Sequence, residues 1–229
     1  MSVSGLHGTD PVWSHERRQA EASTHAVLHA LGLCTLGRME ARELKRMSVA
    51  EYVALDRGEE RRFEYAHGEA FAMAGASLRH NAIAFNIAHA LQAKLASGPC
   101  RVWADGQKIE TAATRAFHYP DASVVCGRPT VSADDENAIT NPSALFEVLS
   151  ESTGDCDRGG KFDHYRTIAE LRDYVLVFPD ERRVEHRKRV AADQWLMSYV
   201  IGGGEVVLEG CGVALSLDEV YADLDRTKT

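Results

Sequence analysis

The 229-residue chain contains no uninterrupted apolar run approaching the roughly 20 residues that a membrane-spanning helix needs, so no membrane role is expected. Its start, MSVSGLHGTDPVWSHERR, also lacks the layout of a secretion signal. A basic surplus is missing as well. The 26 Lys and Arg against 34 Asp and Glu leave a net charge of −8, which removes the broad positive field usual in nucleic-acid binders and leaves room only for a local basic strip or a bound cation. There is no CxxC pair and no closely spaced Cys/His cluster of the zinc type. The five cysteines, Cys34, Cys100, Cys126, Cys156 and Cys211, are an odd number, and the simpler expectation is packing thiols in a reduced, cytoplasmic setting. Cys156 alone would become reactive, if exposed at a helix start. Internal repeats and low-complexity tracts are absent.

The chain does have 45% hydrophobic residues, enough for one substantial core. Residues 1–46, with GTDP, Trp13 and an Ala/His-rich AEASTHAVLHALGL, differ in pattern from the remainder of the chain and are expected to be an N-terminal extension, flexible or partly helical. Residues 47–229 are expected to form a single domain.

Within that domain Ser48 and Glu51 make a capping box for a first helix, SVAEYVALD. RFEYAHGEAFAM reads as two strands around a His67-Gly68 turn. The longest helix is predicted from Ser77 to Gly98-Pro99, with Ile83, Ile87, Leu91 and Leu95 as an apolar stripe that needs a sheet to pack on. CRVWADGQKIET, YPDASVVCG and ALFEVLS are the next strands, the last two separated by the polar loop RPTVSADDENAITNP. GDCDRGGKFDHYRTI is a helix start with Asp155 or Asp157 near its cap. DYVLVF, RRVEHRKRV, WLMSYVI and EVVL are further strands, and SLDEVYADL a terminal helix. The order gives an α/β domain with a mixed central sheet flanked by helices, without an alternating βαβ series.

The chemistry concentrates in a few positions. In ALFEVLS, strand alternation puts Glu147 on a face with Leu145 and Leu149, and a buried carboxylate must be paired, protonated or metal-bound. Asp121 stands at the mouth of the YPDASVV strand, either as a turn former or as a cleft-facing carboxylate. If the two strands are neighbours, Asp121 and Glu147 can share a divalent cation, and Mg²⁺ or Mn²⁺ suits two carboxylates plus waters. Lys161 on the next helix would supply a fixed positive charge. Asp157 and Tyr165 flank Lys161 at four-residue spacing on the same helical face; a surface ion pair with a core tyrosine is the plainer alternative. His80 and Asn81, on the first turn of the long helix, can reach the cleft, or His80 can be a structural histidine. His118 reads as loop packing. Arg182, Arg183, Arg187, Lys188 and Arg189 form the densest basic run, either a phosphate contact or a solvated sheet edge.

FEYAHGE, SLRHN, YPDASVV, FEVLSEST with DRGGKFDHYR, DYVLVF and VALSLDEVYADL together resemble the Uma-two family, placed with restriction endonucleases in the PD-(D/E)XK nuclease superfamily; the resemblance covers roughly residues 45–224. It implies a restriction-endonuclease-like α/β core and metal-dependent hydrolysis of phosphodiesters. By position, Pro120-Asp121 matches the PD and Glu147 the (D/E). Leu149 stands where the superfamily has its lysine, and Lys161 takes that role from the following helix. Glu64 corresponds to the family's additional acidic residue, with Glu69 the lesser candidate. Glu151 departs from the family's usual Ser-Pro-Ser-Thr. The implied protein is a DNA endonuclease using Mg²⁺ or Mn²⁺, with catalytic Asp121, Glu147, Lys161 and Glu64, metal ligands Asp121 and Glu147, and substrate contacts from His80 and Tyr165. A homodimer is expected. The rival from another class is a non-catalytic nucleic-acid-binding or assembly module that retains the fold.

Overall fold

A computed structural model describes residues 46–104, 106–150 and 159–224. Residues 1–45 of the expected extension, the caps at Asp155 or Asp157, Cys34, Cys156 and Glu151 all lie outside the described residues.

Helix α1 (Val49–Gly58) starts at the predicted capping box, where the Ser48 side chain accepts from the Glu51 N–H and Glu51 answers the Ser48 N–H. Strands β1 (Phe63–Ala66) and β2 (Glu69–Ala72) form the hairpin around His67 and Gly68, both at positive φ as a two-residue turn demands. Helix α2 (Leu78–Leu95) carries Ser77 as its cap and buries Ile83, Ile87, Leu91 and Leu95, as the spacing requires.

CRVWADGQKIET does not remain one strand. It divides into β3 (Cys100–Ala104) and β4 (Lys108–Thr111), which enter different sheets, with Gly106 at positive φ between them. Then come β5 (Ala116–His118), β6 (Ala122–Cys126), β7 (Ala138–Ile139) and β8 (Ala144–Val148). The segment expected as a plain loop therefore contributes β7, paired parallel to β4. Helix α3 (Gly160–Tyr165) leads to β9 (Asp173–Phe178), β10 (Arg183–Ala191), β11 (Gln194–Ile201), β12 (Glu205–Leu208) and β13 (Val213–Ser216). The terminal helix α4 (Leu217–Val220) is shorter than its sequence pattern, though Ser216 and Glu219 give it a capping box.

Two mixed sheets organise the domain. One has the order β2-β1-β5-β4-β7, the other β11-β10-β9-β8-β6-β3, and β12-β13 is a separate hairpin. On one face of the six-stranded sheet the apolar stripe of α2 meets Phe146, Val148, Val175 and Val177. On the other, Tyr165, Ile168 and Leu171 meet Leu145, Leu149, Tyr174 and Leu176. The five-stranded sheet packs Tyr65 and Phe117 against Val49, Tyr52 and Val53 of α1. Apolar burial on this scale is the main favourable term in folding, and it dictates which face each polar side chain must take.

Two further expectations change. Strand β10 is not a sheet edge, because β11 lies outside it. Its basic residues are absorbed locally: Arg187 pairs with buried Glu185 at 2.6 Å and lies over Phe162, while Arg189 stacks on Trp195 and donates to the Leu171, Ile168 and Arg166 carbonyls. Cys100 and Cys126 are not thiols. They face each other across β3 and β6 and form a disulfide, which the antiparallel register makes possible and residue counting could not reveal. Cys211 is a free thiol, pushed up to about 12 by burial and then by Asp173, and so unreactive.

Candidate active site

The two sheets meet at Tyr119-Pro120-Asp121, the link from β5 to β6. Proline has no N–H to offer a ladder, so the chain leaves one sheet there and enters the other. β6 pairs antiparallel with β8 through Ala122 and Phe146. Continuing that register by one residue sets Asp121 opposite Glu147 on one face. In the same way the Tyr65–Phe117 pair of β1 and β5 sets Glu64 opposite His118. Helix α3 delivers Lys161 and Tyr165.

Glu147 is only 3% exposed. The Tyr165 hydroxyl donates to its Oε1 at 3.1 Å, and Lys161 Nζ lies 3.5 Å from both of its oxygens. These contacts answer how a charge survives in ALFEVLS, since a buried carboxylate needs donors on its lone pairs. Lys161, itself 11% exposed, also pairs with Glu64 Oε1 at 2.9 Å. That same oxygen accepts the Tyr119 N–H at 3.1 Å. Burial would raise the Glu64 carboxyl, but the Lys161 ammonium and then His118 outweigh it and hold Glu64 far below the usual carboxylate range.

Asp121 Oδ2 accepts the Val148 N–H at 2.6 Å, tying β6 to the end of β8. His80 Nε2 comes within 3.4 Å of the same oxygen. Burial would lower the His80 imidazole, yet Asp121 more than compensates and raises it. Tyr165 corrects the expectation of a substrate contact. It is fully buried, its hydroxyl pushed well above its ordinary value by burial and then by the Glu147 charge, and it orients Glu147 rather than facing the cleft.

The family profile described as "Uma2: Putative restriction endonuclease" matches residues 49–218. The chain belongs to this family. Two uncharacterized proteins of Synechocystis sp. are similar to this Uma2 chain. One is 32% identical over 69% of this chain and 89% of its own length; the other is 28% identical over 78% and 93%. A crystal structure of a putative nuclease belonging to DUF820, from Anabaena variabilis, superposes with a TM-score of 0.59 at 18% identity, covering 72% of this chain and 93% of that one. The fold is thus the mixed α/β, restriction-endonuclease-like core that the resemblance implied.

Does the Uma2 site suit a divalent metal? Its donors are hard carboxylate oxygens on opposed register positions, Asp121 and Glu147, next to a cation that can balance a phosphate. Among the described residues no three His, Cys, Asp or Glu gather as a metal cage. Mg²⁺ does not need one, since it keeps several waters and binds through one or two carboxylates. The donor set fits.

His118, expected only to pack a loop, belongs to this cluster. It is buried on β5 with Nδ1 3.6 Å from Glu64 Oε2. The alternation of Ala116, Phe117, His118 and Tyr119 is the one sequence signal for it, because it puts His118 on the face opposite to Phe117. Gln107 is a brace donating to the Lys108 and Asn137 carbonyls. A buried ionic knot has no counterpart among the sequence expectations. Lys108 reaches Asp56 at 2.5 Å and Asp135 at 2.6 Å, and the Tyr119 hydroxyl donates to Asp56 at 2.7 Å, anchoring the link that carries Asp121.

Proposed function

We propose that this Uma2-family protein is a metal-dependent endonuclease that hydrolyses DNA phosphodiester bonds. The observation that supports it is the Lys161 ammonium held 3.5 Å from both oxygens of strand-borne Glu147, with Asp121 opposite in register. Asp121 and Glu147 would hold Mg²⁺ or Mn²⁺, which when bound activates water and neutralises charge on the scissile phosphate. Lys161 faces the charge that develops in the transition state, and its guidance is electrostatic and preorganised. Glu64 fixes the position of Lys161, Tyr165 fixes Glu147, and His80 lies at Asp121 within reach of a phosphate. The test is Mn²⁺-supported cleavage of plasmid DNA by the wild type and Glu147→Gln. Loss of cleavage in the variant supports the assignment, and equal activity sinks it.

A second proposal, binding without turnover, draws on the Lys161–Glu64 ion pair at 2.9 Å, which can serve as a purely structural clasp. Calorimetry separates the two: DNA binding without Mg²⁺ or Mn²⁺ heat favours the module.

Residues 47–229 are proposed to act as one nuclease domain. No helix among the described residues is long and apolar enough to cross a membrane. A cytoplasmic site of action is proposed because DNA is there; the Cys100–Cys126 disulfide removes the argument from unpaired thiols. A homodimer is proposed because cutting both strands calls for two sites, and edge strand β11 exposes Leu196, Met197, Tyr199 and Ile201 without a charged residue along its length.

A further inference from the structure

His118 is a polar side chain placed where an apolar one would satisfy the packing. Its side chain is 6% exposed, and neither ring nitrogen has a hydrogen-bond partner among the described residues. Its neighbours on β5, Ala116 and Phe117, are apolar and wholly buried. Buried polar atoms are rarely left unpaired, and each exception calls for a physical reason.

The surroundings supply one. The His118 ring is packed by His164, with centroids 5.3 Å apart, and by the edge of Tyr165 at 5.4 Å; His164 is backed by His67 at 5.0 Å. This column aims Nδ1 at Glu64 Oε2, 3.6 Å away, just beyond a hydrogen bond. The other Glu64 oxygen, Oε1, receives the Tyr119 N–H at 3.1 Å and Lys161 at 2.9 Å. Glu64 therefore holds two donors on Oε1, the Tyr119 N–H and the Lys161 side chain whose charge the reaction needs, and faces His118 with Oε2. Lys161 in turn stands between two carboxylates, nearer to Glu64 at 2.9 Å than to Glu147 at 3.5 Å.

We propose that His118 is a positioning residue that acts through Glu64. By donating to Oε2 it holds Glu64 against β5, so that Lys161 is released towards Glu147 and the substrate phosphate instead of being drawn wholly onto Glu64. The closing of a 3.6 Å gap to hydrogen-bond length is the movement involved. His118 touches neither substrate nor metal in this arrangement. The proposal rests on the nuclease reading for its kinetic consequence, but the pairing of His118 with Glu64 can be tested without turnover.

The kinetic arm compares wild type, His118→Phe and His118→Asn in Mn²⁺-supported DNA cleavage. His118→Phe should lower kcat roughly tenfold or more with KM unchanged, the scale of losing an orienting partner, and His118→Asn, which keeps a donor, should recover most of it. A role in packing alone predicts the reverse ranking, with Phe the better tolerated. That ranking, or an unchanged kcat in both, overturns the proposal. The second arm is a thermal-denaturation cycle on the full chain with His118→Asn, Glu64→Gln and the pair. Non-additive shifts in Tm support the coupling, and additive ones overturn it whether or not the wild type cleaves DNA. If the Phe ring prevents folding, His118→Leu carries the same comparison. A wild type that cleaves nothing would remove the nuclease reading, and the cycle would still decide the pairing.

Discussion

The Lys161 ammonium lies 3.5 Å from each oxygen of Glu147, across a gap of 14 residues that takes the chain off β8 and onto α3. Leu149, which holds the position where a lysine is expected on the strand, is buried in the apolar cluster beneath. The cation thus reaches Glu147 from the following helix and not from the strand itself. Lys161→Met should therefore abolish most cleavage, a loss of about 100-fold or more, comparable to removing one preorganised donor from a transition state. Single-turnover rates at saturating Mn²⁺ measure it. A single-turnover rate within about threefold of wild type would show that Lys161 only braces Glu64.

Tyr165 and Glu147 form a buried donor–acceptor pair, 0% and 3% exposed. Tyr165→Phe keeps the ring and deletes the donor, so stability should fall by about 1–3 kcal/mol, the cost of a buried group left short of a partner. Urea denaturation at neutral pH measures the loss. A change below about 0.5 kcal/mol would mean that the hydroxyl contributes nothing net.

Stability should also depend on acidity through His164. Burial first, then the neighbouring His118 and His67, lower its imidazole from 6.5 to about 4. The unfolded chain takes up that proton near pH 6.5 and the folded chain only near pH 4, so the stabilisation is complete above 6.5 and is lost as pH falls towards 4. The loss should be on the order of 2 kcal/mol. Glu64, whose carboxyl is lowered, adds a loss of the same sign at still lower pH. His164→Phe should flatten the profile between pH 6.5 and 4; an unchanged slope would show that His164 is protonated in both states alike.

Much of this was legible in the residues, for identifiable reasons. Helices α1 and α2 announced themselves because Ser48, Glu51 and Ser77 are local caps and the Ile83-to-Leu95 stripe has a single period. Glu147 stood out because a charge inside an apolar strand has few physical solutions. The features that stayed hidden depended on partners distant in sequence. The division of CRVWADGQKIET between two sheets turns on one glycine and on which neighbours accept each half. The Cys100–Cys126 bond follows from register, which spacing does not encode. His118 is marked only by strand alternation; its meaning comes from Glu64, which β1 brings beside it. The Asp56–Lys108–Asp135 knot likewise joins three segments that only the fold assembles.

The proposed chemistry requires one divalent cation held jointly by Asp121 and Glu147. Crystals soaked in Mn²⁺ and measured for anomalous scattering test it directly. A single strong peak bridging the two carboxylates is expected, retained in Lys161→Met and lost in Glu147→Gln. A peak elsewhere, or none at these two carboxylates in the wild type, would contradict it.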